Sequence, residues 1–190
     1  MEFEHVGNAP CLELTNSIPD RTAGDRDWLA EPATAAEWIV SLGLTPEAEP
    51  TERNLAELRR FREQVFGVFE ALVSGASVSQ QGLDAITEAH AQGLRTFGLR
   101  PPARHSAGQA DSEPIARDWP ERWSAAALTA YFAQSAIDEL TGPRLDRLKS
   151  CPGCGWLFFD TSRNRSRRWC SMQTCGGRDK ALRHYHRTRS

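Results

Sequence analysis

Four cysteines in the last forty residues constrain this chain more than anything else in it. They stand as Cys151-x2-Cys154, fifteen residues, then Cys170-x4-Cys175. Two close pairs at that separation are the spacing of a four-thiolate zinc site, which wants tetrahedral sulfur ligands at about 2.3 Å. Four protein ligands leave no open position for water or substrate, so the spacing predicts a structural ion rather than a catalytic one. Other uses of the cysteines stay open at this level: a CxxC disulfide, an iron–sulfur cluster, or His184 or His186 standing in for one thiolate. The fifth cysteine, Cys11, reads as a small buried hydrophobe.

Local patterns around the cysteines predict a treble-clef-like finger. Cys151-Pro-Gly-Cys154-Gly is a tight knuckle, Trp156 to Phe159 a strand, and 160–166 a polar turn. Arg167-Arg168-Trp169 reads as a return strand, and Gly176-Gly177 open a helix running towards His186. Arginines crowd this unit: Arg163, Arg165, Arg167 and Arg168 in the hairpin, Arg178, Lys180, Arg183, Arg187 and Arg189 on or after the helix. Arginine pairs bidentately with phosphate and with the guanine edge, so these residues are the candidate nucleic-acid contacts.

Charge divides the chain in two. Residues 1–143 hold 11 Lys+Arg against 22 Asp+Glu, a formal −11, and residues 144–190 hold 12 against 3, a formal +9. A boundary at 143/144 follows, marked by the helix stop Thr141-Gly142-Pro143. The basic part fits duplex DNA as its partner; RNA, an acidic protein, or the chain's own acidic part would also satisfy it. No apolar run reaches the roughly 18–20 residues that span a bilayer, and the acidic beginning lacks a signal pattern, so a cytoplasmic protein is expected.

The acidic part reads as helix-rich with a small antiparallel sheet, an α+β class. Cys11 to Asn16 alternates apolar and polar residues and predicts a strand. Thr34 and Glu37 form a capping-box pattern for a short helix ending at Gly43. Thr51 caps a long helix to Ser74, with Leu55, Leu58, Phe61, Val65, Val68 or Phe69, and Leu72 at steps of three and four. Arg59, Arg60, Arg62 and Glu63 fall on its solvated side. A shorter helix from Ser79 or Gln81 is stopped by Gly93, and 94–100 and 113–119 form a hairpin around a long loop holding His105. That hairpin and the 11–16 strand would make the sheet. A second strong helix spans 121–141. Asp84 and Glu88, spaced i, i+4, are a solvated pair. Nothing forms a nucleophile–base pair, a phosphate loop or an open metal site, so no enzymatic role is expected.

The cysteine unit resembles the CGNR zinc finger. The resemblance rests on Phe158-Phe159-Asp160-Thr161-Ser162-Arg163-Asn164, Ser166-Arg167-Arg168-Trp169-Cys170-Ser171-Met172 and Cys175-Gly176-Gly177-Arg178-Asp179-Lys180. It implies Cys151, Cys154, Cys170 and Cys175 as zinc ligands and Arg178 as the signature arginine. Gly177 stands where that family has asparagine, a residue that can cap a helix or reach a partner. The front of the chain is similar to the ABATE domain, on Leu12-Glu13-Leu14-Thr15-Asn16-Ser17 and Ala136-Ile137-Asp138-Glu139-Leu140. That resemblance implies a stress-associated transcription regulator whose front domain senses a small molecule or mediates dimerisation. One short finger reads sequence poorly alone, so a homodimer is expected. A lined cavity in the front domain would favour a sensor, and a closed apolar core a scaffold.

Overall fold

A computed structural model describes residues 3–24, 26–101 and 116–189. The elements in chain order are α1 (Pro10–Thr15), α2 (Pro32–Ser41), α3 (Glu52–Ser74), α4 (Gln80–Thr96), β1 (Leu99–Arg100), β2 (Ala116–Arg117), α5 (Ala125–Leu140), β3 (Leu148–Ser150), β4 (Leu157–Phe159) and α6 (Gly177–Arg189). A π turn, Met172–Gly176, leads into α6.

The long helices follow their local signals. Thr51 caps α3 through a reciprocal capping box with Asn54, and Gly75 closes it at φ 72°. Ser79 caps α4 and Ser124 caps α5. Leu55, Leu58, Phe61, Val65, Val68 and Phe69 are buried along α3. Pro32, at the first turn of α2, starts that helix two residues before the expected Thr34 cap, leaving Thr34 and Glu37 inside it.

Three further expectations for the acidic part are corrected. First, residues 10–15 are a helix, not a strand. Pro10 is preorganised for the first helical turn. Cys11 through Thr15 are all buried, so the apolar–polar alternation does not mark an exposed face. The polar members find partners inside: Glu13 Oε1 accepts from the Gly7 amide at 2.8 Å and the Thr15 hydroxyl donates to the Leu12 carbonyl at 2.9 Å, while Glu13 Oε2 is buried without a hydrogen bond. Cys11 is fully buried as expected, and burial pushes its thiol up to about 12. Second, α4 runs through Gly93. A Cβ there would lie 2.8 Å from the Ala130 Cβ, so this glycine lets α4 and α5 approach closely and does not end a helix. The helix takes up Leu94, Arg95 and Thr96 of the expected 94–100 strand, and only Leu99 and Arg100 pair, antiparallel, with Arg117 and Ala116. The hairpin tip and His105 fall outside the described residues.

Third, Arg62 is not solvated. It is 3% exposed, and its guanidinium grips Asp27 through two bonds of 2.6 and 2.8 Å while also reaching the Ser17 hydroxyl and Glu63. Burial opposes the charge on Asp27, but the Arg62 fork outweighs it and holds that carboxyl below the usual range. A depressed folded pKa gives stability that is complete above the unfolded value near 3.9 and is lost as pH falls through the folded value. Arg62→Met is expected to cost about 2–3 kcal/mol, less than a fully buried pair because Asp27 keeps some solvent. Denaturant midpoints check this. A second change, Asp27→Asn, is expected to recover part of the loss.

The acidic and basic parts share one hydrophobic core. Its buried members run without a break from Leu12, Trp28 and Trp38 through Phe69 and Phe132 to Trp156, Leu157, Phe158 and Phe159. β4 lies between two partners. Its Phe158 register pairs with Lys149 of β3 in an antiparallel ladder. On the other side, the Phe159 amide donates to the Gly7 carbonyl at 3.0 Å, and the Asn16 side chain bonds both backbone groups of Leu157. The partner of β4 is therefore β3, which precedes the knuckle. The expected return strand at 167–169 is not a strand.

Candidate metal centre and basic surface

The cysteines reach their places by ordinary turns. After β3, the Cys151 amide donates to the Trp156 carbonyl at 2.8 Å and the Cys151 carbonyl accepts from the Gly155 amide at 2.9 Å, closing the knuckle. Gly155 holds φ +75°, which a side chain rarely adopts. Cys170 follows the buried Trp169, and Cys175 lies in the π turn that Ser171 caps.

All four sulfurs lie within 4.8 Å of one another, with Cys154 to Cys170 at 3.6 Å and Cys170 to Cys175 at 3.7 Å. A tetrahedron with metal–sulfur bonds of about 2.3 Å has edges of about 3.8 Å, so the cage fits that geometry. The four residues are between 1% and 5% exposed. Hydrogen bonds from Cys154 and Cys170 favour the Cys151 thiolate, and that thiolate in turn pushes Cys154 and Cys170 up. So crowded a cage needs a cation to ionise throughout. The donor set is consistent with one structural zinc ion. Among the described residues this is the one group able to hold a metal; His184, His186 and the Asp84–Glu88 pair are not part of it.

A second buried group organises the arginine loop. Asp160, fully buried at the end of β4, accepts from the Lys149 ammonium at 2.6 Å and from the Ser162 and Arg167 amides, each at 2.9 Å. Burial alone would raise its pKa; the ammonium and amides reverse that and hold the carboxyl far below its ordinary range. Lys149 also donates to the Arg165 and Arg167 carbonyls. Sequence reasoning missed this pair. An aspartate closing the apolar run 156–159 was the available signal.

The candidate nucleic-acid contacts divide by what they touch. Arg167 is turned inward: its guanidinium donates to the Trp169 and Cys170 carbonyls and lies over the Phe158 ring at 4.7 Å. It braces the metal cage and is not displayed to a partner. Arg163, Arg165 and Arg168 are exposed, Arg165 pairing with Asp146 at 2.5 Å and Arg168 lying over the Trp169 ring. Arg178 reaches Asp20 at 3.4 Å. Arg183 pairs with Asp179 of its own helix at 2.6 Å. Along α6 every residue from Lys180 to Thr188 is exposed. At about 100° per residue, Lys180, Arg183 and Arg187 fall within about 60° of one another, opposite Ala181, Leu182 and Tyr185. Gly177 lies at the start of α6 in helical conformation, φ −64°, and needs no glycine freedom there.

The structure also joins residues that the sequence left apart. Ser41 Oγ lies 2.9 Å from His5 Nε2, and His5 Nδ1 lies 3.6 Å from Glu13 Oε2. This nucleophile–base pair was not anticipated. The Ser41 hydroxyl, however, donates to the Trp38 carbonyl at 2.6 Å in the last turn of α2. A helix C-terminus presents carbonyls, which disfavour an oxyanion.

A buried four-thiolate cage joined to an exposed basic helix, and packed on a helical body, defines a zinc-finger protein with a fused N-terminal domain. The chain belongs to the ABATE family, described as "Putative stress-induced transcription regulator", which matches residues 8–143. The CGNR zinc finger matches residues 147–188. No match was found among curated proteins. No helix among the described residues is long and apolar enough to cross a membrane.

Proposed function

We propose that this protein is a cytoplasmic transcription regulator that binds duplex DNA through α6 and the arginine loop. Its zinc, held by Cys151, Cys154, Cys170 and Cys175, sets the angle of the helix and takes no part in chemistry. The observation that carries this reading is α6 itself, exposed from Lys180 to Thr188 with three cations on one face. A helix of that kind enters a major groove, while Arg163, Arg165 and Arg168 grip phosphates beside it. Asp146 and Asp20 occupy Arg165 and Arg178 until phosphates replace them. The N-terminal domain supplies ligand sensing, and a homodimer supplies the second half-site. The 143/144 boundary then marks a change of task within one core.

The test is a titration of the zinc-loaded protein with labelled duplex across salt. Affinity is expected to fall steeply and linearly on a log–log plot. Lys180→Gln, Arg183→Gln and Arg187→Gln together are expected to reduce that slope by about 3, roughly one per lost phosphate contact. Duplex binding that ignores salt would refute the reading. Preference for single-stranded RNA or for an acidic peptide over duplex would replace it with an RNA-binding or adaptor role.

A further inference from the structure

We infer that the N-terminal domain carries a binding site for a small, uncharged apolar molecule bearing a carbonyl-type acceptor, in the cavity between the first turns of α3 and α5. The inference rests on the sensing half of the proposed function and gives it a place and a ligand class. The cavity measures about 370 Å³, within the range of small-molecule sites. Its floor is Ile39, Leu55, Leu58 and Leu128, each no more than 3% exposed, with the Trp123 indole as one wall.

The cavity is built, not left over from loose packing. The 45–50 segment that encloses it is clamped to the approach to α5. The Trp123 amide donates to the Thr45 carbonyl at 2.8 Å, and the Glu47 amide to the Trp123 carbonyl at 3.0 Å. The Arg122 guanidinium holds the Pro46 and Glu47 carbonyls at 3.2 and 3.3 Å.

Those same bonds define the ligand. The clamp engages the Thr45, Pro46, Glu47 and Trp123 carbonyls, the Asn54 amide the Thr51 hydroxyl oxygen, and the Ala127 amide the Ser124 oxygen. Asn54 Oδ1 takes both the Thr51 amide and its hydroxyl, which fixes the orientation of the side chain. What Asn54 and Ser124 have left to offer is hydrogen: the Asn54 Nδ2 amide and the Ser124 hydroxyl. These two side-chain donors over an apolar floor match an acceptor on an apolar body. Glu47 and Glu49, exposed at the outer wall, disfavour a carboxylate and leave an uncharged carbonyl as the best match.

Benzylacetone tests this, beside its ammonium counterpart and hydrocinnamate, in the zinc-loaded full chain without DNA, with tryptophan emission and melting temperature as readouts. The ketone is expected to saturate with Kd on the order of a millimolar or tighter, given its size. The amine and the carboxylate are each expected to bind at least about tenfold weaker, the loss of a matched polar contact. Ala126→Phe, at an exposed position of α5 that lines the cavity, is expected to abolish ketone binding without lowering the melting temperature. No saturation by the ketone, equal binding of the amine or carboxylate, or unchanged binding in Ala126→Phe would each overturn the site. Duplex binding by the same samples separates the two readings. Its survival alongside a failed ketone titration refutes the cavity alone; its failure alongside a successful one refutes only the DNA reading.

Discussion

Stripping the zinc with a chelator is expected to lower the melting temperature of the whole chain by well over 10 °C, and not merely to loosen residues 147–188. Metal binding contributes about 10–16 kcal/mol in small zinc modules, whereas a whole domain is stable by only about 5–15 kcal/mol. In a protein with an independent finger, that loss would stay local. Here it cannot. The knuckle and β4 carry Trp156, Leu157, Phe158 and Phe159 into the common core, each burial contributing about 1.5–3 kcal/mol. The Trp156 indole donates to the Ile18 carbonyl at 2.6 Å and meets the Trp28 ring edge-on at 6.0 Å. The Arg21 amide donates to the Cys154 carbonyl at 2.9 Å. Once the cage opens, these contacts lose their geometry and α1 loses one of its walls. Cys170→Ser is expected to reproduce the effect in part, and acid is expected to do so progressively, because protons compete with the metal for thiolates. Arg163→Gln, on an exposed side chain, is expected to leave the melting temperature within about 1 °C. Calorimetry with and without chelator measures all four.

Asn16→Ala is expected to cost about 2–6 kcal/mol, the largest effect of any single polar side chain away from the cage. Asn16 is fully buried. Its Oδ1 accepts from the Leu157 amide at 3.0 Å and its Nδ2 donates to the Leu157 carbonyl at 2.9 Å. One side chain thus does for β4 what a neighbouring strand would do. Alanine leaves a buried donor and a buried acceptor unpaired at about 1–3 kcal/mol each. Asn16→Asp is expected to be no better: it keeps the acceptor, turns the donor into a second acceptor facing the Leu157 carbonyl, and buries a charge. Equilibrium denaturation at saturating zinc is the measurement. A change below about 0.5 kcal/mol for alanine would mean that water replaces the amide at no cost.

What the sequence showed was local, and what it hid was contact. Thr51, Ser79 and the Thr141-Gly142-Pro143 stop act within a turn of themselves, so α3, α4 and α5 were legible near those ends. The cysteine spacing was legible because a tetrahedral ion imposes it. Gly93 misled because its reason is Ala130, on another helix. Arg62 looked solvated because Asp27 lies 35 residues away in sequence. The 11–16 alternation looked like a strand because the helix it forms is enclosed on every side. β3 went unread because nothing in Leu148-Lys149-Ser150 announces a strand until β4 lies beside it. Asn16 carries part of the resemblance to the ABATE domain, but only the structure gives its chemistry: it stitches the body to the finger. Of the basic residues, composition could not separate Arg167, which braces the cage, from those displayed outward.

The claim beneath these results is that finger and body are one folded unit sharing the metal's stabilisation. Amide hydrogen exchange resolved along the chain, with and without chelator, tests it most directly. Exchange is expected to accelerate after zinc removal at Leu14, Asn16 and the Phe132–Ala136 stretch of α5 as well as through residues 147–176. Acceleration confined to 147–176, with α1 and α5 protected as before, would contradict it.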